Sequence, residues 1–324
     1  MAQIVFGMAV PHSGMLGQAP EDWLTNGERD RKNPELWYQG RTWTYPELEA
    51  HRGAAFEPFL TLEERTTRAG RCRAALDEMK AAYERANVDV AIILGKDQKE
   101  IFIDNNPSMS IYTGAKIENG PPQRSVYGPD SRVVYDAHPG LAMHITQALQ
   151  AEGFDLNQIV NWPPNVWMQN EPIVPHAFGF IYHQIMGDQP PPNVPILLNT
   201  FYAPTQPSVR RSIAFGQALN RAIQAWDADT TVAIIASGGL SHFVCDEQLD
   251  QRFIDCFRSS DFEGLARIDE RSYQSGNSEV KLYIPVMVAM SQLGCDMTLV
   301  DYVPCYRTEA GTGEGMGFMY WAPR

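Results

Sequence analysis

The chain has 324 residues, of which 44% are hydrophobic and 20% are charged, and this is the composition of an ordinary globular protein with a large core. With 26 Lys and Arg against 39 Asp and Glu, the formal net charge is −13, which argues against nucleic acid or an anionic membrane as a partner. The amino terminus lacks a basic region and no apolar run approaches the roughly 20 residues that span a bilayer, so we expect neither a signal peptide nor a membrane helix.

The amino-terminal part of the chain alternates strand and helix patterns. An apolar run over residues 4–10 predicts a buried strand, which Pro11-His12-Ser13-Gly14 ends in a turn. Residues of about 20–59 are rich in Trp, Tyr and Pro without a regular pattern, so we expect an irregular, aromatic-rich flap. A long helical pattern follows, and the run over 88–95 predicts a second buried strand that leads into Lys96-Asp97-Gln98-Lys99-Glu100.

The rest of the chain repeats this unit. Strands are predicted over 194–200 and 231–237, and the second of these opens into the turn Gly238-Gly239-Leu240-Ser241-His242. The recurrence of strand, helix and strand predicts an α/β fold, with a central, mostly parallel sheet flanked by helices and an active site at the carboxyl ends of the strands. Because the sequence shows no internal repeat or linker, we expect a single catalytic domain over residues 1–324.

The five cysteines are widely spaced and contain no Cys-x-x-Cys pair. They are Cys72, Cys245, Cys256, Cys295 and Cys305. Their odd number and their spacing argue against a disulfide framework and against a structural zinc site. Such cysteines are typical of a reducing compartment, so we expect a cytoplasmic protein.

Polar side chains follow three of the predicted strands, namely His12, Gln98 and His242. Because ligands bind at the carboxyl ends of strands in an open α/β sheet, we expect these groups to lie together. Glu279, at the start of a predicted helix, adds a carboxylate, although an acid in this position is also typical of a helix cap. Two histidines with one carboxylate form the metal site of non-haem Fe(II) oxygenases, so this set indicates a divalent metal.

These motifs occur in an order that resembles a known family. The turn Pro11-His12-Ser13-Gly14, the strand end with Asp97-Gln98, the turn Gly238-Gly239-Leu240-Ser241-His242, and Ser278-Glu279 before a long helix are similar to the catalytic subunit of class III extradiol ring-cleavage dioxygenases of the protocatechuate 4,5-dioxygenase type. Within that family the chain most resembles the single-chain branch that includes 3-O-methylgallate dioxygenases. The resemblance covers nearly the whole chain.

The resemblance implies roles for individual residues. His12 and Glu279 fall at two iron-ligand positions. His242 falls at an active-site histidine beside oxygen and substrate, and His176 falls at a second histidine that acts as acid and base without binding the metal. We therefore expect His242 and His176 to be catalytic and His12 and Glu279 to bind the metal.

The third metal ligand is a point at which this chain departs from the family, because the family has a histidine where this chain has Gln98. An amide oxygen is a weaker Fe(II) ligand than imidazole. The third ligand is therefore the Gln98 amide, His51 from the flap, or water. We take Gln98 as the expected ligand.

The resemblance implies Fe(II)-dependent extradiol cleavage of a catecholic or methoxylated aromatic acid from lignin-type breakdown by dioxygen. The flap and the region of Tyr302, Tyr306 and Arg307 are the expected pocket walls, and Arg307 would either bind a substrate carboxylate or form a surface salt bridge. Two alternatives are a zinc-dependent hydrolase on a similar scaffold and a non-catalytic binding protein that lost the metal. We expect a homodimer, and the need for a small partner subunit stays open.

Overall fold

A computed structural model describes residues 1–53 and 55–323. The strands are β1 (Gln3–Pro11), β2 (Leu36–Tyr38), β3 (Arg41–Trp43), β4 (Val90–Gly95), β5 (Met109–Tyr112), β6 (Lys116–Asn119), β7 (Val133–Asp136), β8 (Asn157–Ile159), β9 (Asn193–Leu198), β10 (Thr231–Gly238), β11 (His242–Val244), β12 (Asp296–Tyr306) and β13 (Thr312–Ala322). The helices are α1 (Trp23–Asp30), α2 (Tyr45–Arg52), α3 (Leu62–Ala86), α4 (Pro139–Ala151), α5 (His176–Phe180), α6 (Val209–Gln224), α7 (Glu247–Ser259), α8 (Phe262–Arg267) and α9 (Val280–Gln292).

A nine-stranded sheet runs through the centre of the fold. Eight of its strands follow the order β11-β13-β1-β10-β4-β9-β5-β8, and the ninth, β12, pairs with β13 in an antiparallel hairpin. The strands β1, β10, β4 and β9 are parallel neighbours, whereas β5 is antiparallel to β9 and β13 is antiparallel to β1. Helices flank this sheet. The predicted α/β class with a mostly parallel sheet is therefore confirmed.

Both faces of the sheet are covered, which explains why its central strands are apolar along most of their length. In β10, Val232 and Ile234 face the core shared with α4, α6 and α9, whereas Ala233 and Ile235 face the core shared with α3 and α5. The long helical pattern that follows the flap is α3, and the Thr61 hydroxyl caps it by accepting a hydrogen bond from the Glu64 amide. No helix in the described ranges is long and apolar enough to cross a membrane.

One region differs from the sequence-based expectations. The flap is not irregular: it contains α1, the β2–β3 hairpin and α2, and its aromatic residues Trp43 and Tyr45 form a small core with Leu48 and Val244. The elements are short, so their periodicity is too brief to be recognised in the sequence. The single domain over 1–324 stays a prediction.

Candidate active site

Three neighbouring parallel strands end at the same edge of the sheet and bring the site together. His12 directly follows β1, Lys96 directly follows β4, and Gly238 ends β10, which lies between them. The strand register aligns the ends of β1 and β10: Pro11 pairs with Gly238, and the His12 amide donates a 2.9 Å hydrogen bond to the Gly238 carbonyl. The predicted meeting of polar residues at the strand ends thus occurs where an α/β sheet binds its ligands.

The Glu279 carboxylate lies at the centre of the site and is buried. Its Oε1 is 2.5 Å from Lys96 Nζ and 3.3 Å from His242 Nε2, and its Oε2 is 3.6 Å from His12 Nε2. Glu279 ends a short 3₁₀ turn before α9 and makes no side-chain cap hydrogen bond to that helix. Glu279 therefore stands at the N-cap position of α9, as the cap interpretation expects, but its carboxylate is directed at Lys96 and the histidines and does not cap the helix.

Burial and charge act in opposite directions on this carboxylate. Burial raises the pKa of Glu279, but the charges of Lys96, His242 and His12 reverse this effect, so that the pKa lies well below its usual range. The carboxylate is therefore ionised at neutral pH even though it is excluded from solvent.

The hydrogen bonds of the two imidazoles determine which ring nitrogens are free. The Ser237 hydroxyl donates to the Ala177 carbonyl at 2.6 Å, so its oxygen accepts from His12 Nδ1, 3.0 Å away. His242 Nδ1 lies 2.9 Å from the Leu240 carbonyl, which can only accept. Both rings therefore carry a proton on Nδ1 and direct Nε2 towards Glu279.

His12 and His242 differ in their tendency to hold a second proton. Burial lowers the pKa of His12 and outweighs the opposing effect of Glu279. Burial also lowers the pKa of His242, but Glu279 and Glu314 more than compensate, and the net shift is upwards. A neutral imidazole suits a metal ligand and a protonated one suits a proton donor, so the environments match the roles that the resemblance implies for these two residues.

His176, at the start of α5, forms a buried pair with Glu100. Its Nδ1 lies 2.6 Å from Glu100 Oε1, and its backbone amide donates to Oε2 at 2.8 Å. A carboxylate can only accept, so Nδ1 carries the proton and Nε2 is left as the free nitrogen. Its ring is packed 4.8 Å from that of His12 and 5.1 Å from that of Tyr127, measured between ring centroids.

The candidates for the third metal ligand occupy different places. Gln98 is half-buried and lines the same pocket as His12 and Glu279. Asp97 holds the loop that carries Gln98, because its carboxylate accepts hydrogen bonds from the backbone amides of residues 99–102. His51 is exposed in α2, stacked 4.6 Å from Trp43, and does not line the pocket.

A pocket of about 590 Å³ opens at this edge of the sheet, a volume that admits a single substituted aromatic ring. Three guanidinium groups line it, those of Arg29, Arg124 and Arg307. Arg307 Nε lies 2.9 Å from Asp30 Oδ2, while its Nη2 is buried without a hydrogen-bond partner in the described part of the chain. These arginines offer hydrogen-bond donors to an anionic substituent, while Asp30, Glu279 and Glu314 line the same pocket.

The prediction that Tyr302 and Tyr306 line the pocket is wrong. Tyr302 donates its hydroxyl hydrogen bond to Asp250 and Tyr306 donates to Glu247, and neither residue lines the pocket. The flap does reach the pocket, but through polar residues of α1 and the turn after it. These are Asn26, Arg29, Asp30 and Asn33. The aromatic residues of the flap are used for its own packing instead.

The donor chemistry of the site fits a divalent metal: the neutral imidazole of His12 and the ionised carboxylate of Glu279 present their free atoms to one another, and His242 Nε2 is close by. Ligands about 2.1 Å from one metal in neighbouring positions are about 3 Å apart, so these separations are near the required ones. As positioned, however, no three His, Cys, Asp or Glu side chains of residues 1–53 and 55–323 form a metal-holding group. The ammonium of Lys96, and not a third such side chain, lies beside Oε1 of Glu279.

Sequence reasoning missed Lys96, Glu100 and Ser237. The first two belong to the polar stretch after β4, which was recognised as a whole, but a stretch without periodicity does not show which side chains turn into the site. Ser237 reads as the last residue of a buried strand. Only its contact with His12, which is 225 positions away in sequence, reveals its role.

Comparisons with known proteins relate the chain to aromatic ring-opening dioxygenases. Residues 73–314 match the family described as the catalytic LigB subunit of aromatic ring-opening dioxygenase. Over 113 residues the chain is 33% identical to gallate dioxygenase of Pseudomonas putida, a stretch that covers 34% of this chain. It covers 30% of the length of that relative.

Proposed function

Since the chain belongs to the family of catalytic LigB subunits of aromatic ring-opening dioxygenases, we propose that it opens the ring of a hydroxylated aromatic acid with dioxygen. The family match confirms the ring-cleavage class expected from the motifs of the sequence, and it favours ring opening over a zinc-dependent hydrolase. The single observation that carries the proposal is the convergence of His12, His242 and Glu279 beside a ring-sized pocket.

Dioxygenases of this family are generally metal-dependent. We propose Fe(II) for this chain, held by His12 Nε2 and Glu279, with Gln98 as the third protein ligand because it lines the same pocket. When bound, Fe(II) would bring the substrate diol and dioxygen into contact and pass electron density from the ring to oxygen. The residues around it prepare and protect that reaction.

His176 is proposed as the base for the substrate. Glu100 holds Nδ1 with its proton, so the lone pair of Nε2 is available to take a proton from a phenolic hydroxyl. His242 is proposed as the acid, because Leu240 fixes the Nδ1 proton and directs Nε2 at the centre of the site, where a second proton can be held and released. In the overall reaction one carbon–carbon bond of the ring is broken, and both atoms of dioxygen enter the product.

The substrate is proposed to carry a carboxylate, as in catecholic or methoxylated aromatic acids. The three arginines that line the pocket support a substrate with a carboxylate. Arg307 is the best placed of them to bind it, because its Nη2 is buried without a hydrogen-bond partner in the described ranges. A guanidinium binds a carboxylate through paired, charge-assisted hydrogen bonds. The relative's name, gallate dioxygenase, is that of an enzyme for an acid of this type.

The test is oxygen uptake by the anaerobically prepared, Fe(II)-loaded protein with pairs of substrates that differ only in the carboxylate, such as protocatechuate and catechol. We expect uptake and a ring-opened, yellow chromophore with the acids, and a lower KM for each acid than for its neutral partner. In Arg307→Gln the KM for the acid is expected to rise about 10- to 100-fold, with little change for the neutral diol.

The matched control is Arg271→Gln, which removes an arginine whose side chain is exposed and paired with Asp269. It is expected to leave both KM values unchanged. Absence of oxygen uptake with every acid tested, with iron bound, would exclude the function and support a non-catalytic binding protein. The expected cytoplasmic homodimer stays a proposal, which light scattering on the purified protein tests for its oligomeric part.

A further inference from the structure

Lys96 is the feature of the site that the proposed reaction does not use. It directly follows β4, its side chain is 0% exposed, and its ammonium lies 2.5 Å from Glu279 Oε1. It makes no hydrogen bond of standard geometry within the described part of the chain, and the ring of Phe201 lies 4.8 Å away. A buried ammonium is stable only with a compensating charge, so Lys96 depends on Glu279.

Glu279 is thus the partner of two cations, the ammonium of Lys96 and the proposed metal. A divalent metal brings two positive charges to a carboxylate that a buried ammonium already neutralises. Of the other carboxylates near the site, that of Glu100 is engaged by His176, and that of Glu314 acts on His242 and has no ion pair with Lys96 among the described residues. Because repulsion between charges is strong where water is excluded, the two cations compete for the same carboxylate.

We propose that Lys96 is a built-in competitor for the metal: it occupies Glu279 Oε1 when the metal is absent, and it makes the affinity of this chain for divalent metal low. Oε2, which faces His12 Nε2, is the oxygen that Lys96 leaves open. Metal entry at the Oε2 side requires that the ammonium withdraw from Oε1 or share the carboxylate. This inference rests on the proposed function, because it takes the same residues as metal ligands.

The experiment measures binding of Co(II) alone, without substrate, by isothermal titration calorimetry at one pH. Lys96→Met removes the charge and keeps the length of the side chain. It is expected to bind Co(II) on the order of 100-fold more tightly than the wild type, because a unit charge a few ångströms away is removed. Lys96→Arg keeps the charge and is expected to bind as weakly as the wild type.

Lys281→Met is the matched control. Lys281 is another buried lysine, located in α9 and paired with Glu270 at 2.6 Å, and its ammonium forms no ion pair with Glu279. Its removal is expected to leave the Co(II) affinity unchanged. Any general effect of losing a buried lysine would appear in this variant as well.

Lys96→Met leaves the Glu279 carboxylate without its main partner, so Co(II) is also expected to raise its melting temperature by more than that of the wild type. Lys96→Gln, which can donate a hydrogen bond to Glu279 without a charge, serves if Lys96→Met does not fold. Equal Co(II) affinity in a folded Lys96→Gln or Lys96→Met and in the wild type would overturn the proposal, as would tight binding by Lys96→Arg. Tight binding by Lys96→Met without ring opening would contradict the proposed function alone.

Discussion

At the scale of single residues, the site is defined by hydrogen bonds that leave one nitrogen of each histidine free. Ser237 does this for His12, the Leu240 carbonyl for His242, and Glu100 for His176. None of these partners touches the reacting atoms in our account. They act by fixing the tautomer and the ring orientation, as the outer partners of metal-binding and catalytic histidines generally do.

The dependence of His176 on Glu100 gives the first prediction. In Glu100→Gln an amide replaces the carboxylate that accepts both the Nδ1 proton and the backbone amide of His176. We expect kcat for ring opening to fall about 10- to 100-fold, because general base catalysis depends on this orientation, with little change in KM. Steady-state oxygen uptake over a range of substrate concentrations measures both constants.

Glu171→Gln, an exposed glutamate paired with Arg132, is the control for this change and is expected to keep both constants. A rise in KM at constant kcat in Glu100→Gln would mean that Glu100 supports substrate binding and not proton transfer.

At the scale of elements, the site depends on two turns that approach each other closely. The turn after β10 carries His242, and the 3₁₀ turn before α9 carries Glu279. Gly276 belongs to the second turn, and a Cβ on it would lie 1.8 Å from the His242 carbonyl oxygen. Gly239, in the turn after β10, does not have a positive φ. Close packing is the reason for a glycine at that position, because a Cβ on Gly239 would lie 3.1 Å from the His242 ring.

Gly276→Ala is therefore expected to lower the free energy of unfolding by at least about 2 kcal/mol, since the two turns must separate to admit a methyl group. Urea unfolding followed by circular dichroism measures this. Gly70→Ala is the comparison, because Gly70 is exposed within α3 and nothing lies within 4 Å of its Cβ position. That variant is expected to gain about 0.5–1 kcal/mol. A Gly276→Ala variant as stable as the wild type would contradict the close approach of the turns.

Asp250 of α7 also holds the turn after β10, through hydrogen bonds to Ser241. Its carboxylate accepts hydrogen bonds from the Ser241 amide at 2.7 Å and from the Ser241 and Tyr302 hydroxyls at 2.6 and 2.7 Å. Burial raises the pKa of Asp250 to about 7, against the lowering effect of these hydrogen bonds. Asp250 thus connects the active-site turn to the stability of the fold.

This shift gives a prediction with a definite sign. A carboxyl whose pKa is higher in the folded state than in the unfolded chain stabilises the fold at low pH, and the benefit is lost as the pH rises from the ordinary value of 3.8 to about 7. We expect this loss to amount to at most about 4 kcal/mol, and to be missing in Asp250→Asn. The difference in unfolding free energy between wild type and variant should therefore change with pH in this range and level off above it.

Asp255→Asn, on the exposed face of the same helix, is the control and is expected to follow the pH dependence of the wild type. If Asp250→Asn also follows it at every pH, the pKa of Asp250 is the same in the folded and the unfolded protein, and the upward shift is wrong.

At the scale of the whole molecule, the sequence is sufficient to predict the parallel centre of the sheet and the approximate place of the site. Buried strands such as β1, β4 and β10 are continuous apolar runs that end in polar residues, and both signals are local. The contacts that define the chemistry are not local. Lys96 and Glu279 are 183 positions apart, and no pattern within either segment shows that their charges meet. The flap was mistaken for an irregular segment because its elements are short.

The central claim is that this chain opens an aromatic ring with dioxygen at the site formed by His12, His242 and Glu279. The most direct measurement is mass spectrometry of the product made under ¹⁸O₂ by the Fe(II)-loaded wild type and by His12→Ala, with circular dichroism to show that both are folded. The account predicts that both atoms of labelled dioxygen enter the ring-opened product of the wild type, and that His12→Ala forms no such product. A wild type that releases unlabelled product, or a folded His12→Ala that still forms labelled product, would contradict it.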